Sequence, residues 1–95
     1  MAKRLGGEKR FTKANIEKAP DRPGIYVIKN EKGATQYVGM SQKLRTRLEQ
    51  HLSQKDIPGA DTFRTRPVRS TKQAENLEGR YIENYKPRYN ILKNK

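Results

Sequence analysis

Tyr26 and Tyr37 stand eleven positions apart, each inside a glycine-flanked triplet, Gly24-Ile25-Tyr26 and Tyr37-Val38-Gly39. Arg47 and His51 follow one helical turn from each other, and Glu78 comes later inside an otherwise apolar helical stripe. Hydrolysis of a phosphodiester needs a base for water, a cation to spread transition-state charge, and help for the departing oxygen. These residue types supply all three. Each also has a plainer reading. Tyrosines fill strands, Arg47 can simply pair with Glu78, Glu78 can sit in a structural salt bridge, and a lone histidine is usually packed or solvated. The combination, not any single member, favours chemistry. A carboxylate in an apolar stripe is costly unless it meets a cation, a metal or good donors, and the alternative to the salt bridge is a ligand for a hard divalent cation. No paired carboxylates are visible, so one metal ion is the economical inference.

These residues must be placed by a small set of elements. "GIYVIK" (24–29) is rich in β-branched and aromatic residues and apolar on both faces, which predicts a central strand. "NEKG" (30–33) is a hairpin loop with Gly33 free to take positive φ, and "TQYVG" (35–39) is the return strand. Ser41 offers an N-cap to "QKLRTRLEQHLSQ" (42–54), where Leu44, Leu48 and Leu52 recur at helical spacing. Arg47 and His51 lie on one flank of that leucine stripe and Arg45 on the other. "TFRTRPV" (62–68) alternates and carries Pro67 near its end, which predicts an edge strand with Arg64 and Arg66 on one face. "STKQ" (70–73) is a capping box opening the helix "KQAENLEGRYIENY" (72–85), whose apolar arc holds Ala74, Leu77, Tyr81, Ile82 and Tyr85, with Glu78 inside it. "FTKANIEKAP" (11–20) supplies a short helical turn, and Pro87 ends the last helix. The order β-β-α-β-α makes a small α/β domain, of the α+β type, with an antiparallel sheet.

The bulk composition bounds the partners. Ninety-five residues allow one domain, expected over 11–95 behind a flexible basic tail at 1–10. Lys and Arg number 22 against 10 Asp and Glu, a net charge of +12, which points to a polyanion, above all nucleic acid. No apolar run is long enough for a membrane span, and no segment has the broad apolar face of a membrane-surface helix. There is no cysteine, which removes disulfides, zinc-thiolate sites and thiol nucleophiles; with no secretory signal, this fits the cytoplasm.

The same residues resemble the GIY-YIG nuclease superfamily, and most closely its form in the N-terminal incision domain of the bacterial excision-repair nuclease. The resemblance runs from "DRPGIY" at 21 to "KPRYN" at 90. It rests on "PGIY", on "YVG", on Leu44, Arg47 and Leu48 in an L-x-x-R-L pattern, and on "STKQAENLEGRYIENYKPRYN". It implies a three-stranded antiparallel sheet flanked by helices and metal-dependent phosphodiester hydrolysis. By motif, Tyr26 would be the general base or water-positioning group, and Tyr37 would line the site. Arg47 would stabilise the phosphate, and Glu78 would bind one magnesium or manganese ion. Asn90 would close the motif on the structural or substrate side, and His51 would assist as acid or base. Gly24 and Gly39 would let the backbone approach closely. Met40 departs from the family's usual lysine or serine after the second triplet, removing one phosphate contact or one cationic neighbour of a tyrosine.

The resulting expectation is a stand-alone DNA endonuclease of low or structure-dominated specificity, working in repair, processing or defence. Specificity would come from the small domain itself, from a homodimer or from a partner protein. Arg45 on the first helix, Arg64, Arg66 and Arg69 along the third strand, and Lys86 and Arg88 beyond the last helix are the candidate phosphate contacts, which give affinity without sequence reading. The alternatives are a non-catalytic nucleic-acid-binding module and a nuclease subunit active only with its partner.

Overall fold

The computed structural model describes residues 7–87. Its elements run β1 (Lys9–Arg10), α1 (Lys13–Glu17), β2 (Gly24–Lys29), β3 (Thr35–Ser41), α2 (Leu44–Gln54), β4 (Thr62–Pro67) and α3 (Thr71–Tyr85). The sheet is antiparallel with strand order β1-β4-β2-β3, so the doubly apolar β2 is central as its composition requires.

The sheet has four strands rather than three. Lys9 and Arg10, at the end of the stretch expected to be a flexible tail, pair with Phe63 and Thr62 of β4. A two-residue strand carries no periodic signal in "EKR". Its formation follows from the open edge of β4, whose backbone groups need partners. The edge character expected of β4 persists over its second half, where β1 does not reach and Pro67 sits.

Register decides which side chains share a face. Tyr26 lies opposite Gly39 and Thr65, and Ile28 opposite Tyr37 and Phe63. This face packs on α1 and α2 in a core of Ile16, Ala19, Tyr26, Ile28, Leu44, Leu48, Ile57 and Phe63. The other face carries Ile25 and Met40 and packs on α3 through Val68, Ala74, Leu77 and Tyr81. Tyr85, expected on the buried arc of α3, is instead 42% exposed, packing edge-on against Tyr81. It lies in the last turn, past the end of the sheet's support.

Turn and cap chemistry follows the sequence with two exceptions. Gly33 has φ +85°, and the Asn30 side chain accepts from the Lys32 and Ala34 amides to close the hairpin. Ser70 caps α3 by accepting from the Gln73 amide, while Gln73 Oε1 accepts from the Arg69 amide instead of completing the box on Ser70. Ser41 is not the N-cap of α2. It is the last residue of β3, and its hydroxyl bonds the amide and carbonyl of Lys43; the helix begins at Leu44. The capping acceptor comes from outside the helix, where Asp21 Oδ1 takes the Thr46 amide at 3.2 Å.

Gly24 is needed for packing. A Cβ there would stand 2.5 Å from the Arg66 carbonyl oxygen and 3.0 Å from the Pro67 Cα, backbone atoms that cannot swing aside. Gly79, inside α3, has open space where a methyl group would stand, with nothing within 4 Å. Gly24→Ala is therefore expected to destabilise the domain by about 1–3 kcal/mol. Gly79→Ala should stabilise it by about 0.5–1 kcal/mol, the helix penalty of glycine. Urea denaturation checks both, and equal signs for the two changes would contradict this packing.

Candidate active site

The hairpin register brings both phenols to the α2 side of the sheet. Tyr26 is buried and its ring lies over Gly39: a Cβ at Gly39 would fall 2.4 Å from Tyr26 Cζ. The second triplet thus ends in glycine because the first triplet's tyrosine occupies the space above it. Tyr37 is half-buried, with its ring centroid 6.0 Å from that of Tyr26.

Helix α2 completes this face. Leu44 and Leu48 are fully buried and fix its rotation, which turns Arg47 and His51 toward the phenols. His51 is 1% exposed, and its ring centroid lies 5.5 Å from Tyr26 and 5.3 Å from Tyr37. Its Nε2 is 2.7 Å from the Tyr26 hydroxyl. The guanidinium of Arg47 lies near enough to both phenols to interact with them electrostatically, and it donates to Gln50 Oε1 at 3.0 Å. Burial pushes the Tyr26 phenol well above the usual tyrosine range and the neighbouring Tyr37 adds to this, while Arg47 opposes it. Burial works against the charge of Arg47, but the phenols of Tyr26 and Tyr37 outweigh that and raise its pKa. Tyr26 is consequently a protonated phenol at neutral pH in the metal-free protein.

Glu78 arrives from the opposite side of the sheet. β3 is the outer strand, and the backbone N–H of Met40 on that strand hydrogen-bonds the Glu78 carboxylate. The carboxylate thereby reaches the sheet edge, close enough for its charge to act on Tyr26. The Met40 side chain packs on the α3 face with Ile25 and Val68, so the site draws on its amide rather than its side chain. Partial burial raises the Glu78 pKa, the Met40 amide pulls it back, and Glu75 adds a smaller upward push. Among the described residues no lysine or arginine forms an ion pair with Glu78, so the Arg47–Glu78 bridge of the plainer reading is not made.

Among the described residues no group of three or more His, Asp or Glu side chains converges as a metal cage. A single half-buried carboxylate that has no cationic partner among the described residues is nonetheless a donor set that fits magnesium, which holds few protein ligands and keeps several waters.

The candidate phosphate-binding cations do not gather at this cluster. Arg45 Nε donates to the Ala19 carbonyl at 2.9 Å and ties α2 to the end of the α1 segment. Arg64 and Arg66 share the α3 face of the sheet by register, and Arg66 Nη1 donates to the Tyr81 hydroxyl at 3.0 Å. Arg69 and Lys86 are exposed at the two ends of α3. Arg88 and Asn90 lie outside the described residues.

One residue at the site carries no signal in the sequence. Asp56 Oδ1 is 2.9 Å from His51 Nδ1. A spacing of five has no meaning on a helix surface. The contact arises because Lys55, the C-cap of α2, takes a left-handed conformation (φ 52°, ψ 39°) and folds the chain back. The "DIP" that follows the helix reads as a terminator, and only the turn geometry gives it a second meaning.

Known proteins are similar to this chain in sequence and fold. UvrABC system protein C of Protochlamydia amoebophila is 37% identical over 90 residues, covering 81% of this chain and 14% of that protein. Its counterpart in Bacteroides fragilis is 35% identical over 91 residues, covering 86% of this chain and 15% of that protein. Among solved structures, the GIY-YIG N-terminal endonuclease domain of UvrC from Thermotoga maritima, bound to its catalytic divalent cation magnesium, matches with a TM-score of 0.69 at 31% identity, covering 80% of this chain and 91% of that one. Residues 8–84 match the family defined as a domain of unknown function, DUF7508. The chain belongs to DUF7508 and to the GIY-YIG endonuclease family. It spans only about 14% of the length of the first of those curated UvrC relatives. No helix among the described residues of this GIY-YIG domain is long and apolar enough to cross a membrane.

The raised Glu78 pKa has a sign that can be checked. The folded carboxyl binds its proton more tightly than the unfolded one, so its contribution to metal-free stability is full below about pH 4 and is lost as pH rises through the raised value. In EDTA, Glu78→Gln should therefore melt above the wild type at pH 7, with the advantage shrinking as pH falls toward 4. A melting difference that does not change with pH would contradict the partial burial of this carboxylate.

Proposed function

We infer that this chain is a divalent-metal-dependent endonuclease domain that hydrolyses DNA phosphodiester bonds, with low or structure-dominated specificity, in DNA repair or processing. The observation that carries the reading is convergence from two sides of one sheet. Two phenols and a guanidinium meet on the α2 face, and a partly buried carboxylate reaches the same strand edge from α3. A domain that merely gripped DNA would have no use for a partly desolvated carboxylate at that edge.

Each residue has a role that follows from its position. Arg47, held between the phenols, offers a planar pair of donors to a phosphate and balances the charge that grows on it. Tyr26 orients the attacking water and, with its own proton removed, is the base that deprotonates it. Tyr37, half-buried at the rim, presents its hydroxyl to the phosphate side of the cluster. Glu78 would hold the divalent cation, magnesium or manganese, which when bound supplies Lewis-acid stabilisation of the phosphate charge. Asn90 is assigned to the same site through the motif alone. Arg69 and Lys86, exposed at the ends of α3, and Arg64 and Arg66 on its sheet face supply backbone contacts, so binding should weaken steeply with added salt.

A single active site cuts one strand at a time. Double-strand cleavage then requires a homodimer, a partner protein or two successive nicks.

The test is cleavage of labelled single-stranded, duplex and branched DNA with magnesium, manganese or EDTA. Wild type is expected to nick only with metal, and Glu78→Ala to lose at least about 100-fold in rate while still retarding DNA in a gel. Retained cutting by Glu78→Ala would remove the carboxylate from the mechanism. Binding without cutting by the wild type under every metal would replace the nuclease with a DNA-binding module.

A further inference from the structure

We propose that Asp56 is a positioning residue that fixes the tautomer of His51, so that Nε2 faces the Tyr26 hydroxyl as a proton acceptor. The inference rests on the nuclease reading and deepens it by naming where the proton of Tyr26 goes.

The geometry leaves few alternatives. An ionised carboxylate only accepts hydrogen bonds. With Asp56 Oδ1 2.9 Å from Nδ1, that nitrogen must carry the proton. A neutral imidazole then has its lone pair on Nε2, and the Tyr26 O–H, 2.7 Å away, donates to it. The His51 side chain is fully buried while Asp56 remains 27% exposed, so the carboxylate holds the ring from its solvent side. Carboxylate, imidazole and hydroxyl stand in the order of a Ser-His-Asp triad, with a phenol in place of the serine.

The arrangement answers a difficulty that burial creates. A phenol held protonated cannot deprotonate water until it has lost its own proton. In the proposed step, the Tyr26 O–H bond breaks as an N–H bond forms at Nε2, and Asp56 stabilises the resulting imidazolium. Tyr26 takes a proton from water, the water oxygen bonds to phosphorus, and the P–O bond to the leaving sugar oxygen breaks. That oxygen takes a proton from solvent, and the extra proton of the buried His51 leaves by way of the part-exposed Asp56, so the cycle closes without any other co-reactant.

The chain contains one histidine, so ¹⁵N-histidine labelling reports on His51 alone. In the wild type at neutral pH, Nδ1 is expected to be protonated and Nε2 not. Asp56→Asn is nearly isosteric, and its amide N–H would donate to Nδ1, moving the histidine proton to Nε2. Nicking kcat should then fall by at least about 100-fold, since the comparable carboxylate-to-amide change in a Ser-His-Asp triad costs about 10⁴. KM for DNA should stay within about 3-fold, because Asp56 acts on the ring through Nδ1, the nitrogen that does not face Tyr26. Asp56→Glu should restore the Nδ1-protonated form and part of the rate.

A wild-type spectrum with Nε2 protonated would overturn the proposal. So would Asp56→Asn cutting at the wild-type rate with its tautomer exchanged. Glu78→Ala separates the two readings, since it should abolish cutting and leave the His51 tautomer untouched. If the wild type cuts nothing, the nuclease reading fails, and the nitrogen spectrum still decides whether Asp56 sets the tautomer.

Discussion

A phenol buried in a domain this small must find a partner for its hydroxyl, and the rest of the structure is arranged around that need. Leaving a buried hydroxyl unsatisfied costs roughly 1–3 kcal/mol, a large share of the stability of so short a chain. Tyr26 meets the requirement by reaching across Gly39 to His51 and Arg47. That reach dictates a glycine in the neighbouring strand, a helix rotated to turn its polar flank inward, and a second tyrosine packed alongside. The side chain that completes the core is therefore the one best placed to do chemistry.

The sheet separates two tasks. Its α2 face holds the aromatic and guanidinium groups around the buried Tyr26 and His51. Its α3 face carries Arg64 and Arg66, the second of which is held by the Tyr81 hydroxyl. β3 lies at the edge of the sheet, and Glu78 reaches that edge from α3 through the Met40 amide. An outer strand is normally a liability, open to unwanted pairing. Here part of that open edge is occupied by a side chain.

Much of this was legible in the sequence, for identifiable reasons. The strand character of residues 24–29, the positive φ of Gly33 and the cap at Ser70 are local, and each followed from residue type. The inward turn of Glu78 followed from helical periodicity. What could not be read depended on long-range fit. The short strand at Lys9–Arg10 exists only because β4 offers an edge. The cap of α2 is supplied by Asp21, twenty-five positions away in sequence. Arg45 read as a phosphate contact from its flank position, and nothing in the spacing revealed the Ala19 carbonyl it holds. Asp56 was hidden because a left-handed lysine, not a periodic pattern, brings it home.

That lysine sets a limit on the working range of the molecule. A non-glycine residue in the left-handed region is disfavoured by about 1–2 kcal/mol, and Lys55 stands at the end of a helix, where unwinding begins. The backbone that joins α2 to Asp56 is thus held less firmly than the leucines that join α2 to the sheet. On warming, the last turn of α2 would loosen first, and the carboxylate would leave the imidazole while the core stayed intact. The temperature at which the enzyme stops working would then lie below the temperature at which it unfolds, and the gap between them would measure the grip of one turn.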